Sequence, residues 1–187
     1  MKKILIGTHN KGKFKEISYL LSKKIKKVSP IKLKIKSPKE TGKTFSMNAQ
    51  LKAKYFSRFT KLPVISDDSG LCIRALGKKP GIYSARWAKQ YGSFTNAMRF
   101  ILKKMQKKTN RSATFVCSLS LKYPEGKIIT VTGKIKGSIS HKIIGTRGFG
   151  YDPIFIPNSK SITFGQMSKL RKIKMDHRYR AFRKMKR

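Results

Sequence analysis

Apolar and polar residues alternate along Ser112–Lys122, and this two-residue period predicts a strand with one buried face. A turn is expected at residues 124–127, after which residues 128–134 should pair back as a hairpin. Shorter alternating or fully apolar runs, each bounded by turn-forming residues, predict further strands. These lie at residues 4–7, 32–36, 63–66 and 72–76.

Apolar residues recur every three to four positions in three other segments, as they do on the buried face of a helix. The segments are residues 13–23, residues 45–59 and the stretch marked by Met98, Ile101, Leu102 and Met105. The basic stretch from Ser168 onward is also expected to be helical. Helices that alternate with strands, plus one hairpin, predict an α/β domain with a mixed sheet. No repeat or linker interrupts the pattern, so residues 1–187 are expected to form a single domain.

The charge is strongly one-sided, with 46 Lys and Arg residues against seven Asp and Glu and a formal net charge of +39. The basic residues are spread along the whole chain, which favours compositional drift over a dedicated polyanion site. Nonspecific attraction to polyanions is expected in either case.

No apolar run is long enough to cross a membrane. Two isolated cysteines without metal-ligand spacing fit a reducing cytoplasm.

The scarcity of acids turns the few that are present into candidates for chemistry. Asp67 and Asp68 are adjacent and follow a short buried run, and Glu40 precedes the second predicted helix. Mg²⁺ is commonly held by one or two carboxylates together with water and substrate phosphate. One aspartate could therefore bind the metal ion while the other positions or deprotonates water. The alternative is an Asx turn or helix cap at residues 68–70.

The turn after the first strand is a candidate phosphate site. It leads into a helix N-terminus, where free N–H groups and the helix dipole favour anions. Gly12 would allow close approach, and Lys13 adds a positive charge. The spacing does not match a Walker A loop. The alternative is an ordinary helix start with Asn10 as the N-cap.

Two segments near the C-terminus are candidates for contacts with a base. Gly148 and Gly150 flank Phe149, whose ring could stack on a base, and Asp152 could accept hydrogen bonds from a base edge. The alternative is a tight loop with a core phenylalanine. Three basic residues could donate hydrogen bonds to a carbonyl or a phosphate, or could equally form a solvated helix face. They are Lys172, His177 and Arg178.

In order and in spelling, these segments resemble the inosine-triphosphate pyrophosphatase family over nearly the whole chain. The segments that carry the resemblance are Thr8-His9-Asn10-Lys11-Gly12-Lys13, Glu40-Thr41-Gly42, Asn48-Ala49, residues 66–71, 80–86 and 148–155, Phe164-Gly165-Gln166-Met167, and Lys172 with His177-Arg178. The resemblance implies an elongated mixed sheet flanked by helices, in two lobes with a nucleotide cleft between them. It also implies a homodimer. The implied reaction is Mg²⁺-dependent hydrolysis of inosine, deoxyinosine and xanthosine triphosphates to the monophosphate and pyrophosphate.

The same resemblance implies roles for individual residues. Glu40 and Asp68 would hold Mg²⁺, and Asp68 would also be the proton acceptor, with Asp67 close by. The remaining positions would bind the substrate, the first group at the triphosphate and most of the others around the base. They are Thr8, His9, Asn10, Lys11, Gly12 and Lys13, then Ser69, Phe149, Gly150, Tyr151, Asp152, Lys172, His177 and Arg178.

The chain departs from the family's usual spelling at a few positions, including Met47, Arg171 and Asp176. Asp176 goes against the general loss of acids, and it is expected to pair with Arg178 or a nearby lysine. Two other functions remain alternatives. One is a pyrophosphatase of similar fold that acts on pyrimidine or modified nucleotides. The other is a basic nucleic-acid-binding protein, for which Asp68 would be dispensable.

Overall fold

The structure is a computed structural model that describes residues 2–186. Within this range six strands form one sheet in the order β2-β1-β3-β4-β5-β6. Strand β1 is parallel to β2 and to β3, whereas β5 and β6 are antiparallel. The mixed sheet expected from the sequence is therefore confirmed. The strands are β1 (Lys3–Ile6), β2 (Lys26–Val28), β3 (Val64–Ile73), β4 (Ser112–Lys122), β5 (Ile128–Ile139) and β6 (Phe155–Pro157).

Helices separate most of these strands along the chain, which confirms the α/β class. They are α1 (Lys11–Leu20), α2 (Phe45–Ser57), α3 (Ser84–Gln90), α4 (Phe94–Met105), α5 (Lys169–Ile173) and α6 (His177–Met185). Four of them begin at a polar residue whose side chain accepts a hydrogen bond from a backbone N–H of the first turn, which satisfies a donor that the helix leaves unpaired. These N-caps are Asn10, Thr44, Ser93 and Ser168.

The strand predicted at residues 32–36 is wrong. Ile31–Leu33 forms a short 3-10 helix, and Lys34 adopts a left-handed conformation with φ of 54°. The strand in this region is β2, which lies earlier and pairs with β1. Lysine is so abundant in this chain that it alternates by chance with apolar residues. Leu33 is accordingly exposed rather than buried.

The two strands predicted at residues 63–66 and 72–76 are one continuous strand, β3. Asp67 and Asp68 lie inside this strand and not at its end, so the Asx-turn alternative is also wrong. Polar residues at 66–69 resemble a turn in sequence because buried strands seldom carry carboxylates. Here the carboxylates are buried with partners from distant parts of the chain, described below.

The chain forms two compact units, each with its own apolar core. Unit 1 contains residues 2–68, 117–133 and 178–186, and its core includes Ile6, Ile17 and Phe56. Unit 2 contains residues 69–116 and 134–177, and its core includes Ile101 and Phe155. Strands β3, β4 and β5 contribute residues to both units. The single domain and the nucleotide cleft expected from the sequence stay predictions. None of the described helices is both long and apolar enough to cross a membrane.

Gly137 permits the pairing of β5 with β6. It lies opposite Pro157, and a Cβ atom at this position would collide with the Ile156 carbonyl oxygen and the Phe155 ring. We expect Gly137→Ala to lower the free energy of unfolding by about 1–3 kcal/mol, because backbone in a packed core yields poorly to an added atom. Urea unfolding measures the loss. Lys136→Ala, an exposed neighbour in β5, should change it by less than about 0.5 kcal/mol. Equal effects of the two substitutions would contradict this explanation.

Candidate active site

In unit 1, the turn between β1 and α1 forms an electropositive helix start. Asn10 is the N-cap, as one sequence interpretation proposed, and its Oδ1 accepts a hydrogen bond from the Lys13 N–H at 2.9 Å. The Thr8 hydroxyl accepts a hydrogen bond from the Asn10 N–H at 3.2 Å. The first turn of α1 carries no acidic residue, so its dipole is not neutralised there. The exposed His9 ring is bonded to the Ile35 carbonyl and the Ser37 hydroxyl.

Asp67 is completely buried and is surrounded by cations. Its Oδ2 lies 3.2 Å from the Lys13 Nζ and accepts a hydrogen bond from the Arg178 guanidinium at 3.0 Å. Arg178 is also fully buried and donates its other terminal nitrogen to Glu16. Two carboxylates and two cations thus form one buried network that joins α1, β3 and α6.

The cations decide the protonation state of Asp67. Burial acts to raise the pKa of its carboxyl, but the charges of Lys13, Arg178 and Lys52 outweigh burial and hold that pKa well below its usual range. Asp67 is therefore a permanent anion near neutral pH and a weak base. Its charge keeps Lys13 oriented at the start of α1.

Asp68 has a different environment. Its Oδ2 accepts a hydrogen bond from the Asn48 side-chain N–H at 3.1 Å, and its Oδ1 lies 3.8 Å from the Lys52 Nζ. Burial raises the pKa of the Asp68 carboxyl and the Glu40 charge adds to this effect, against the opposing charges of Lys52 and Lys13. The two adjacent aspartates therefore differ, because Asp67 is the weaker base and Asp68 the stronger.

Lys52 joins Asp68 to Glu40. Its Nζ lies 2.6 Å from the Glu40 Oε1, so both carboxylates converge on one ammonium group. Burial acts to lower the pKa of Lys52, but the charges of Asp68, Asp67 and Glu40 prevail and raise it, which keeps the group protonated. Two carboxylates that already share one cation can also share another.

The residues fit a hard divalent cation that needs few protein ligands. Residues 2–186 contain no cluster of three or more His, Cys, Asp and Glu side chains arranged to hold a metal ion. Mg²⁺ is often bound by only one or two carboxylates, with water and substrate phosphate completing its shell. Glu40 and Asp68 supply that number, so their assignment as Mg²⁺ ligands stays a prediction that is compatible with the arrangement.

Unit 2 carries the second group of predicted site residues, which centre on Asp152. Its Oδ2 accepts hydrogen bonds from the Phe149 backbone N–H at 2.8 Å and from the Lys172 Nζ at 2.7 Å. The same Nζ lies 4.7 Å from the centroid of the half-buried Phe149 ring. Gly148 has φ of 78°, and a Cβ there would collide with the Asp152 carboxylate. Asp152 therefore holds both the loop and the lysine.

The other predicted residues of unit 2 have clear local roles. Tyr151 is buried in the core and donates its hydroxyl to the Ser84 carbonyl at 2.9 Å, and burial raises the pKa of its hydroxyl. His177 stacks on Phe115, with ring centroids 4.8 Å apart. Ser69 is half-buried in β3, and Gly150 has a positive φ. Contacts of these residues with a base stay predictions.

The structure thus groups the predicted residues by unit. The residues from Thr8 to Lys13, Glu40, Asp67, Asp68 and Arg178 lie in unit 1. The rest of the predicted set lies in unit 2. The Arg178 guanidinium donates hydrogen bonds to Glu16 and Asp67 of unit 1, and its predicted contact with a base stays a prediction. Asp176 lies in unit 2 and is fully buried, and its expected pairing stays a prediction.

Two residues that contact Asp68 have no assigned role in the sequence interpretation, Asn48 and Lys52. They lie four residues apart on α2, beside the apolar face formed by Ala49, Ala53 and Phe56. Buried lysine is rare without a partner, so a lysine next to this face was a usable signal. This signal was obscured by the large number of other lysines in the chain. Glu16 lies on α1 and forms an ion pair with Arg178.

Asp67→Asn tests the buried network. The substitution removes one of the two acids of this buried network and keeps both cations, Lys13 and Arg178, so we expect a loss of about 3–5 kcal/mol in the free energy of unfolding at pH 7. The folded-state pKa of Asp67 lies below the unfolded value of about 3.9. The contribution of Asp67 to the free energy of unfolding is therefore complete above about pH 3.9, and it decreases as the pH falls below that value.

Urea unfolding as a function of pH measures both effects. The difference between wild type and Asp67→Asn should narrow below about pH 4. Glu125→Gln removes an acid from the exposed turn between β4 and β5 and should have little effect. A difference that stays constant down to pH 2 would show that Asp67 does not act through its charge.

Comparisons with known proteins agree with this arrangement. The pattern that describes the Ham1 family matches residues 4–187. A dITP/XTP pyrophosphatase of Caulobacter vibrioides is 41% identical over 186 residues, which cover 98% of this chain and 96% of that protein. A dITP/XTP pyrophosphatase of Gluconobacter oxydans is 39% identical, covering 96% of this chain and 86% of that protein.

Solved structures give the same result. The Ham1 protein of Staphylococcus aureus superposes with a TM-score of 0.87 at 34% identity, covering 98% of this chain and 96% of that one. A HAM1 protein of Coxiella burnetii gives 0.88 at 31% identity, covering 99% and 96%. The resemblance found in the motifs is confirmed. The chain belongs to the Ham1 family.

Proposed function

We propose that this protein hydrolyses non-standard purine nucleoside triphosphates, those of inosine, deoxyinosine and xanthosine, to the nucleoside monophosphate and pyrophosphate. The names of its relatives support the substrate class. One observation carries the chemical argument. Glu40 and Asp68 converge on a single cationic position beside an aspartate that holds Lys13 at a helix start.

The phosphates would bind at the start of α1. Backbone N–H groups and the helix dipole attract anions there, and Lys13 adds a full charge. Because Asp67 holds Lys13 in place, little side-chain entropy would be lost on binding. Mg²⁺ bound by Glu40 and Asp68 would neutralise charge on the phosphates. Lys52, which is protonated and near both acids, would add a second positive charge.

Asp68 is the better candidate for the proton acceptor. A general base works best when its pKa is raised towards the working pH, and burial raises the pKa of Asp68 while cations lower that of Asp67. Asn48 fixes the orientation of the Asp68 carboxylate through one oxygen. Asp68 would thus accept the proton of the attacking water, whereas Asp67 holds the cations.

Recognition of the base would depend on hydrogen-bond donors facing the 6-oxo group. Lys172 offers such a donor, and its ion pair with Asp152 orients it next to the Phe149 ring. Adenine carries a 6-amino donor, so donor would face donor, which is costly in a buried site. Guanine shares the 6-oxo group, so its rejection must depend on the 2-amino position.

We further propose that the enzyme works as a homodimer in the cytoplasm. The family resemblance of the motifs supports the dimer. Cys72 and Cys117 do not form a disulfide, which is consistent with a reducing compartment. Light scattering at working concentration would test the dimer, with a monomer mass as the contrary result.

A nucleotide panel tests the reaction. We expect Mg²⁺-dependent pyrophosphate release from dITP and XTP, much faster than from dATP, dGTP, dTTP or UTP. Asp68→Asn should lower kcat by roughly 10²–10⁴-fold, the usual contribution of a general base. Glu125→Gln is the control and should keep full activity. Equal rates on all standard nucleotides, or full activity without a divalent cation, would contradict the proposal.

Lys172→Met tests base recognition. Loss of a charged donor costs about 1.5–3 kcal/mol, so the ratio of kcat/KM for dITP over dATP should fall about 10–150-fold. Circular dichroism would confirm folding, because Asp152 loses its ion-pair partner. Lys169→Met, an exposed lysine of the same helix, is the matched control. An unchanged ratio in a folded variant would remove Lys172 from base recognition.

A further inference from the structure

Asn48 makes hydrogen bonds in two directions from a fully buried position on α2. Its Nδ2 donates to the Asp68 Oδ2 at 3.1 Å, and its Oδ1 accepts from the Gly42 backbone N–H at 2.7 Å. Only one orientation of the amide satisfies both bonds, because the carboxylate requires a donor and the N–H requires an acceptor. One side chain therefore connects strand β3 to the loop that carries Glu40.

Gly42 shows how closely this loop lies against α2. A Cβ at Gly42 would be 2.6 Å from the Asn48 Oδ1 and 2.8 Å from the Met47 Cβ. These distances are too short for any side chain, so the loop can bond to Asn48 only with glycine at position 42. Thr44 caps α2 two residues later, which leaves Glu40 on a short segment attached at the helix start.

We propose that Asn48 is a positioning residue that sets the distance between Glu40 and Asp68, and thereby the affinity of the site for a divalent cation. The proposal rests on the assignment of these two acids under the proposed function. Asn48 does not itself bind the cation. It acts through the Gly42 backbone on one side and the Asp68 carboxylate on the other.

The bond between Asn48 and Gly42 differs in kind from the contact that Lys52 makes. Lys52 attracts Glu40 by charge, and a divalent cation held by Glu40 and Asp68 would compete with Lys52 for their oxygens. The bond from Asn48 to Gly42 is between neutral groups and does not depend on that competition. This hydrogen bond would therefore hold the loop in place even if the contact between Lys52 and Glu40 were weakened.

Gln50 lies on the same helix and provides a matched control. Its amide donates to the Thr130 hydroxyl at 3.1 Å, within unit 1 and away from the acids. Gln50→Ala removes one side-chain amide hydrogen bond from α2, whereas Asn48→Ala removes two. It leaves Gly42 and Asp68 untouched, so it separates a general loss of helix packing from an effect on the cation site.

The experiment is a double-mutant cycle of Asn48→Ala and Gly42→Ala. Electron paramagnetic resonance measures the binding of Mn²⁺ to the nucleotide-free protein, and Mg²⁺ is added as a competitor. Each single substitution should weaken cation binding about 10–100-fold, the usual cost of losing a group that orients a metal ligand. The double variant should lose little more, because both substitutions break the same connection. Gln50→Ala should bind as wild type does.

Kinetics provide a second measurement. The Mg²⁺ concentration for half-maximal pyrophosphate release should rise in both single variants, while the KM for dITP at saturating Mg²⁺ stays nearly constant. A purely structural role would lower thermal stability but leave the Mn²⁺ affinity of the folded protein unchanged, and that result would overturn the proposal. Gly42→Ala, a loop substitution, keeps the test decisive if Asn48→Ala fails to fold.

These measurements distinguish the role of Asn48 from the proposed function. If the wild type binds Mn²⁺ and releases pyrophosphate but the variants bind equally well, only the role of Asn48 is refuted. Fully additive losses in the cycle would likewise refute the common connection. If the wild type binds no cation and its activity needs none, both the metal assignment and the role of Asn48 are wrong.

Discussion

A carboxylate that is fully removed from water requires counter-charges at fixed positions, and Asp67 imposes this requirement on unit 1. Burying an unpaired carboxylate would be prohibitive. Lys13 and Arg178 supply the charges from two different helices. The position of α1 and the direction of Lys13 thus follow from one electrostatic constraint. The same cations lower the pKa of Asp67 and make it a weak base, whereas the pKa of its neighbour Asp68 is raised.

Helix α2 provides the complementary half of the arrangement. Asn48 and Lys52 lie one turn apart and both reach Asp68. One contributes a neutral hydrogen bond and the other a charge, so the carboxylate is oriented without being strongly acidified. Burial then raises the pKa of Asp68. The pKa values of two adjacent carboxyl groups in one strand shift in opposite directions, because successive side chains of a strand point to opposite faces and meet different surroundings.

Much of the fold could be predicted from periodicity. The strand Ser112–Lys122 matches its prediction at both ends, and the helices expected at residues 13–23 and 45–59 occur with ends shifted by no more than three residues. The motifs also included Glu40 and Asp68, the two acids that the structure brings together at Lys52. The failures share a cause. Lysines that alternate with apolar residues produced a strand pattern at residues 32–36, and the polar residues around Asp67 resembled a turn.

Both errors are resolved only by contacts between residues distant in sequence. Strand β2 is defined by its pairing with β1. Asp67 can lie within a strand because Arg178, 111 positions away, compensates its charge. Lys52 lies next to the apolar face of α2, but its partners Glu40 and Asp68 are apparent only in the structure. Local patterns carry no information on such partners.

The pairing of Arg178 with Glu16 spans 162 positions of the chain, and this separation has a consequence for the order of folding. Contacts between distant residues form late, because a large loop must close first. Before α6 has docked, Asp67 lacks the guanidinium group that compensates the cost of its burial. The Asp67 carboxylate, at the centre of β3, is then more stable in contact with water. During synthesis, α1 and α2 emerge well before residue 178. Asp67, and with it the neighbouring predicted catalytic residue Asp68, would therefore be fixed in place only when α6 joins the rest of unit 1.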